Sequence, residues 1–269
     1  MKKVVPSRVQ SPSSIKTYKQ CPRKYYYFYI EKRKTAPNIH TLRGNIAHSV
    51  LEDFFDTNIS KVEDYNVHNN FRTRVQQLFI HHWKAKEIEL SGLDLTKENE
   101  MHYFEETLMM LFNWLDQFMI KLNALGEPLQ QAFEHLTPIR EKHYISEELG
   151  VRGFIDAIET VQGTVRVMDY KTSKSFGVDD HRLQLAIYSL LYQEQHGRIP
   201  DFVGIYFLKG PEKILPATKE MVKYAKQEVF TIHECTQSKN KNDYPLKISR
   251  LCKWSTGACD FYDLCFKKK

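Results

Sequence analysis

Gly153-Phe154-Ile155-Asp156 is followed, after a turn at Gly163, by Val167-Met168-Asp169-Tyr170-Lys171, which sets two carboxylates and an ammonium at the ends of neighbouring apolar stretches. Successive side chains of a strand point to opposite faces, so Asp169 and Lys171 share one face about 6.6 Å apart along the chain and Tyr170 takes the other. A charged pair on so apolar a strand is either a strand-end salt bridge or part of a metal site. In the second reading Asp156 and Asp169 are hard oxygen ligands for Mg²⁺ or Mn²⁺, and positions remain for water and a phosphate oxygen. Lys171 then stands beside the reacting phosphate and stabilises the charge that develops there.

Three further segments carry groups suited to such a site. Gly44-Asn45-Ile46-Ala47-His48 opens a stretch with apolar residues at Ile46, Val50, Leu51, Phe54 and Phe55, the spacing of an amphipathic helix with His48 near its start as a nitrogen ligand. In Leu183-Gln184-Leu185-Ala186-Ile187-Tyr188, Gln184 and Tyr188 are four apart on a second helix. They therefore share a face and can jointly contact a phosphate or Lys171. Glu141 lies in the alternating stretch 139–145 and can add or orient a ligand, although Glu147 and Glu148 are close by in sequence. Each residue also has a plain structural role open to it, as a packed histidine, a core tyrosine or a surface acid.

The order Gly44 to His48, Glu141, Gly153 to Asp156, Asp169 to Lys171 and Gln184 to Tyr188 resembles the RecB-like branch of the PD-(D/E)XK nuclease superfamily. The opening Ser11-Pro12-Ser13-Ser14 through Cys21-Pro22-Arg23-Lys24-Tyr25 is similar to the N-terminal helix of that group, and the resemblance runs from about residue 11 to 265. Asp169 stands where many members carry Glu. The resemblance implies a restriction-endonuclease-like core and a metal site of His48, Asp156 and Asp169. It assigns Lys171, Gln184, Tyr188 and Glu141 to the catalytic pocket. The expected reaction is hydrolysis of DNA by a water that the cation activates, on single strands or free ends and as an exonuclease sooner than an endonuclease. Such enzymes work beside a helicase in recombinational repair or beside an integrase in CRISPR adaptation.

Cysteines supply the last constellation. Cys21 lies near one end of the chain, Cys252, Cys259 and Cys265 near the other, and Cys235 stands apart. Four thiolates can hold zinc or an iron-sulfur cluster. The resemblance implies a 4Fe-4S cluster, since AddB-type subunits and CRISPR-associated nucleases use one early and three late cysteines in this way. Such a staple joins the two ends of the chain. Relatives have a tighter pair among the last three, whereas Cys252 and Cys259 are separated by six residues here. An odd cysteine count and no visible signal peptide argue against disulfides and for a reducing, cytoplasmic setting.

The elements that must position these groups follow from periodicity. Ser11 and Pro12 start a helix that runs through Tyr18 until Pro22. Residues 61–130 read as a helical insertion, with one apolar face through Phe71, Val75, Leu78, Phe79 and His82 and another through Phe104, Leu108, Leu111, Phe112, Leu115, Phe118, Met119 and Leu122. Strands are expected at 139–146, 151–159, 164–171 and 202–208, with helices at 181–196 and 217–234. The expectation is an α/β fold with a central mixed sheet flanked by helices, one nuclease domain over 1–269 carrying the insertion and the terminal cysteine element.

An excess of 39 Lys and Arg over 33 Asp and Glu suits a polyanionic partner. The terminal Lys267-Lys268-Lys269 reads as a solvated tail, and no apolar run reaches membrane-spanning length. Two competing readings remain at this stage: a silent nucleic-acid-binding subunit, against which the full set of acids and Lys171 speaks, and a zinc-dependent binding module.

Overall fold

The computed structural model describes residues 6–62, 66–173, 177–255 and 257–267, so Lys268 and Lys269 of the basic tail lie outside the described residues. Helix α1 (Pro12–Gln20) begins as the sequence dictates. The Ser11 hydroxyl accepts from the Ser14 amide, the Ser14 hydroxyl accepts from the Ser11 amide, and Pro12 occupies the first turn. Pro22 then opens α2 (Pro22–Tyr25), which continues into a wide π turn over Tyr26–Ile30. Helix α3 spans Ile39–Phe54, capped by the Asn38 side chain on the Thr41 amide. Gly44 therefore does not open this helix, and His48 sits in its middle; the Asn38 cap lies six residues upstream of the expected start.

Helices α4 (Val67–Ala85), α5 (Glu87–Ser91), α6 (Lys97–Ala124) and α7 (Leu129–Leu136) follow. The buried face of α4 is Phe71, Val75, Leu78, Phe79 and Trp83. His82 instead turns toward α3 and pairs with Asp53 at 2.7 Å. Helix α7 was not anticipated, because Gly126 and Pro128 end α6 yet Pro128 also suits the start of a new helix.

Strands β1 (Ile139–Ser146), β2 (Val151–Val161), β3 (Thr164–Lys171), β4 (Phe202–Phe207) and β5 (Glu212–Pro216) form one sheet in that order. All neighbours are antiparallel except β3 and β4, which are parallel. A parallel pair needs a crossover, and α8 (Arg182–His196) supplies it, ending on left-handed Gly197 at φ 70°. Helix α9 (Lys219–Cys235) completes that layer. Strand β5 escaped the periodicity because it is a short, half-exposed edge strand ending in Pro216.

Helices cover both faces of the sheet, so β3 buries four residues in a row from Val167 to Tyr170. One core unites α1, α8 and α9 with Ile155, Val165, Val167, Val203 and Ile205. The other unites α3, α4, α6 and α7 with Ala157, Met168, Tyr170 and Tyr206, so the helical segment shares its core with the sheet. Arg43 of α3 and Lys209 after β4 both pair with Glu106 of α6 and tie this layer down. A third cluster joins Tyr25, Tyr26 and Tyr27 to Tyr244 and Phe261. The aromatic run near the start of the chain is thus packed against the C-terminal segment. Among the described residues no helix is long and apolar enough to cross a membrane.

Candidate active site

The site lies where β2 and β3 part beneath α3 and α8. In β2 the alternation of faces slips: Ile155 and Ile158 both enter the core under α8, while Ala157 enters the opposite one. Asp156 occupies the slip, and its carboxylate accepts the Tyr170 amide at 2.7 Å, a side chain replacing a rung of the ladder. The register places Glu141 of β1 across from Asp156, between the pairs Arg140 with Ala157 and Lys142 with Ile155. Glu141 has φ 44°, a left-handed conformation that a side chain adopts only at a cost. Two matched irregularities on neighbouring strands thus aim two acids toward α3.

His48 meets them there. Its Nδ1 is 3.5 Å from Asp156 Oδ2 and 3.8 Å from Glu141 Oε1, and its Nε2 is 3.1 Å from the Tyr170 carbonyl. The donor atoms of His48, Glu141 and Asp156 all lie within 4.8 Å of one another. Burial by itself lowers the imidazole's proton affinity; hydrogen bonds to Asp156 and Glu141 and the charges of Asp156 and Asp169 outweigh it and raise the pKa to about 10. Glu147 and Glu148, by contrast, are exposed in the turn between β1 and β2.

Asp169 faces the α8 side, 1% exposed. Its Oδ1 accepts from Gln184 Nε2 at 2.7 Å and from the Tyr188 hydroxyl at 3.4 Å, and Gln184 also donates to Tyr188 at 2.8 Å. Lys171 Nζ is 2.5 Å from Oδ2 but off the direction of a hydrogen bond, so this buried oxygen is charge-paired without an aligned donor. Burial, then the charge of Asp156, pushes the Asp169 carboxyl up to about 7, with Lys171 and His48 opposing. Gln184 and Tyr188 therefore orient an acid and do not touch Lys171 by a described hydrogen bond. Gly153 permits the approach: a Cβ there would stand 3.0 Å from the Tyr188 ring and 3.1 Å from Leu191.

Two participants carried no sequence signal. The backbone amide and carbonyl of Tyr170 hold Asp156 and His48, which no residue type announces. His181, just before α8, is within electrostatic reach of Lys171; burial, then the charges of Lys171 and Lys16, lowers it to about 4. It is a neutral group at the rim.

The donor set fits a hard divalent cation. Carboxylate oxygens and one imidazole are the ligands Mg²⁺ and Mn²⁺ accept, and three of them already converge; Asp169, paired through Oδ2 with Lys171, is not among the three. A proton on His48 is what such an ion would displace.

The four cysteines of the early and late segments come together. Cys21, Cys252, Cys259 and Cys265 line a single small cavity together with Lys24, Lys247 and Phe261. The paired strands β6 (Lys253–Trp254) and β7 (Gly257–Ala258) explain the unusual spacing. They fold the six intervening residues back, so that the Cys259 amide donates to the Cys252 carbonyl at 3.0 Å. Helix α10 (Tyr262–Phe266) then delivers Cys265, whose thiol is raised by burial first and by Cys21 and Cys259 next. No three of the four sulfurs lie within 4.8 Å of one another. Cys235 is exposed on α9 and takes no part.

The profile of the PD-(D/E)XK nuclease superfamily matches residues 10–266, and the chain belongs to that superfamily. The Gene 69 proteins of Mycobacterium phages D29 and L5 are 38% identical over 82 residues and 42% identical over 64 residues. Those segments cover 30% and 24% of this chain but only 29% and 21% of the phage proteins. A crystal structure of a candidate exonuclease from Eubacterium rectale aligns over 96% of this chain and 93% of its own, at 12% identity and a TM-score of 0.47. That likeness is too slight to build on.

Proposed function

We propose that the chain is a Mg²⁺- or Mn²⁺-dependent deoxyribonuclease of the RecB-like kind, trimming single-stranded DNA or free ends as an exonuclease. The observation that supports this reading is the convergence of His48, Glu141 and Asp156, with the buried Asp169 carboxylate paired to Lys171 nearby. His48, Asp156 and Asp169 would hold the cation, and Glu141 would join or orient them. When bound, the cation polarises the phosphoryl group, makes a nearby water more acidic and offsets charge on the leaving oxygen.

The remaining work falls to the protein. Lys171 is set on the strand end beside Asp169, where its ammonium balances negative charge gathering on the phosphate. Gln184 and Tyr188 fix the Asp169 carboxylate through Oδ1, while its Oδ2 pairs with Lys171. The Tyr170 carbonyl holds His48 by Nε2 and keeps Nδ1 turned toward the acids. The buried sheet face behind Tyr170 keeps this strand from shifting.

The cysteine cavity is read as the seat of a 4Fe-4S cluster. That is the group the resemblance to RecB-like nucleases implies for one early and three late cysteines, and zinc is the alternative. The protein partner would be a helicase in end resection or an integrase in CRISPR adaptation.

End-labelled linear, end-blocked and circular single-stranded DNA, each incubated with Mn²⁺ or with chelator, tests the reading. The expected result is loss of label from free ends only, in Mn²⁺ only. Binding without products would make the chain a silent subunit, and cutting of circles would make it an endonuclease.

A further inference from the structure

The face of β1 and β2 that carries Glu141 and Asp156 also carries a pair of rings that the chemistry leaves unused. Past Asp156 this face is covered, because Ala157, Met168 and Tyr170 enter the core beneath α3, α6 and α7. Before Asp156 it is open. Phe154 is 53% exposed and Ile145 is 40% exposed, and neither enters a core cluster. Phe154 and His143 are partners across the two strands. Their rings stack, with centroids 4.4 Å apart and planes 20° apart.

Gly153 and Ile155 face α8, so Phe154 between them faces the other way, the side on which Glu141 and Asp156 reach His48; His143 and Phe154 are each two residues from an acid, about 6.8 Å along the sheet. The following step pairs Ile145 with Arg152, both exposed. The acids, the stacked rings and a guanidinium therefore follow one another along an uncovered stripe. A solvated phenyl ring gains nothing from water, and this one is held flat by its histidine neighbour and continuous with the acid group.

We propose that the His143 and Phe154 pair is a stacking platform for the unpaired base next to the scissile phosphate, with Arg152 one step further along as a phosphate contact. Aromatic faces accept any base, so the platform is sequence-tolerant. A base inside a duplex is paired and covered by its neighbours, and its face is not offered. The platform thus selects single-stranded nucleic acid and seats it in line with the acids. This inference rests on the nuclease reading above, from which its tests can be separated.

The first test is kinetic: Phe154→Ala should raise KM for a single-stranded oligonucleotide about fivefold or more, the lower end of what base stacking contributes. Its kcat should stay within about twofold, its melting temperature should be unchanged, and Phe154→Tyr should restore KM. The second needs no cleavage. In chelator, the added indole of Phe154→Trp should be quenched on titration with oligo(dT), beyond the response of the parent protein's three tryptophans, and should not respond to a blunt duplex. A wild-type protein that cuts nothing defeats the nuclease reading, while the quenching arm still decides the platform. An unchanged KM in Phe154→Ala, or no quenching in Phe154→Trp, overturns the platform itself.

Discussion

The acid site and the cysteine cavity are both assembled from residues far apart in sequence, yet the protein holds them by different means. Asp156, Asp169 and His48 each sit on a long element and each has a protein partner: the Tyr170 amide, the Gln184 amide and the Tyr170 carbonyl. Cys252 and Cys259 flank a pair of two-residue strands, Cys265 sits on a five-residue helix and Cys21 precedes α2, where regular hydrogen bonding is sparse. One region is organised by the fold before any ion arrives. The other brings short segments to one cavity against the cluster of Tyr25, Tyr26, Tyr27, Tyr244 and Phe261.

That contrast can be broken most sharply at the acids. Asp156→Ala or Asp169→Ala should reduce cleavage in Mn²⁺ by at least about a thousandfold, judged against what a bound cation supplies. Circular dichroism should show the same fold and a melting temperature within a few degrees of the parent. Lys171→Ala comes next, with a rate about a hundred- to a thousandfold lower and DNA affinity retained in a gel-shift assay.

Cys259→Ser should do the reverse of the acid variants. If the cavity holds the proposed cluster, the parent protein should be brown and the variant bleached, with its melting temperature lower by several degrees, while any folded fraction keeps its Mn²⁺-dependent chemistry. If the variant stayed brown and equally stable, the cavity would not depend on its contents. Gly153→Ala sits between the two regions in kind and below them in size. Its methyl group must displace the Tyr188 ring, which should cost about 1–3 kcal/mol of stability by denaturant melt and slow cleavage by about tenfold.

The smallest effect is in pH. Because the raised His48 pKa favours the folded state when protonated, its contribution is complete below about 6.5 and is lost as pH rises through about 10. Asp169 is raised as well, so its ionisation lowers stability as pH climbs from about 4 to about 7, and the penalty then persists. Both changes favour the ion over the proton. The melting-temperature gain from saturating Mn²⁺ should therefore grow between pH 6 and pH 8.5, and Asp169→Asn should melt higher than the parent at pH 8 without Mn²⁺ yet gain little from it.

Much of this was legible in the residues. The strand ends, the glycine turn at Gly163 and the α8 helix followed from alternation, turn chemistry and a 3.6-residue period, because burial on both sheet faces writes itself plainly into sequence. The slip at Asp156 did not, since a bulge changes which face a residue takes without changing its type. Glu141 could be nominated but not oriented, because its left-handed backbone is imposed by the strand beside it. The start of α3 was misplaced because Gly44 reads as a boundary, whereas the interior of that helix tolerates it with Thr172 Oγ1 3.7 Å from where a Cβ would be. The nearness of Cys252 to Cys259 needed the β6 and β7 pairing, whose strands are too short to leave a period.

Cleavage of 5′-labelled single-stranded DNA by the parent protein and by Asp156→Ala, each in Mn²⁺ and in chelator, tests the acid site most directly. The account predicts products only from the parent and only with Mn²⁺. Products from the parent in chelator, or from Asp156→Ala at the parent's rate, would contradict it.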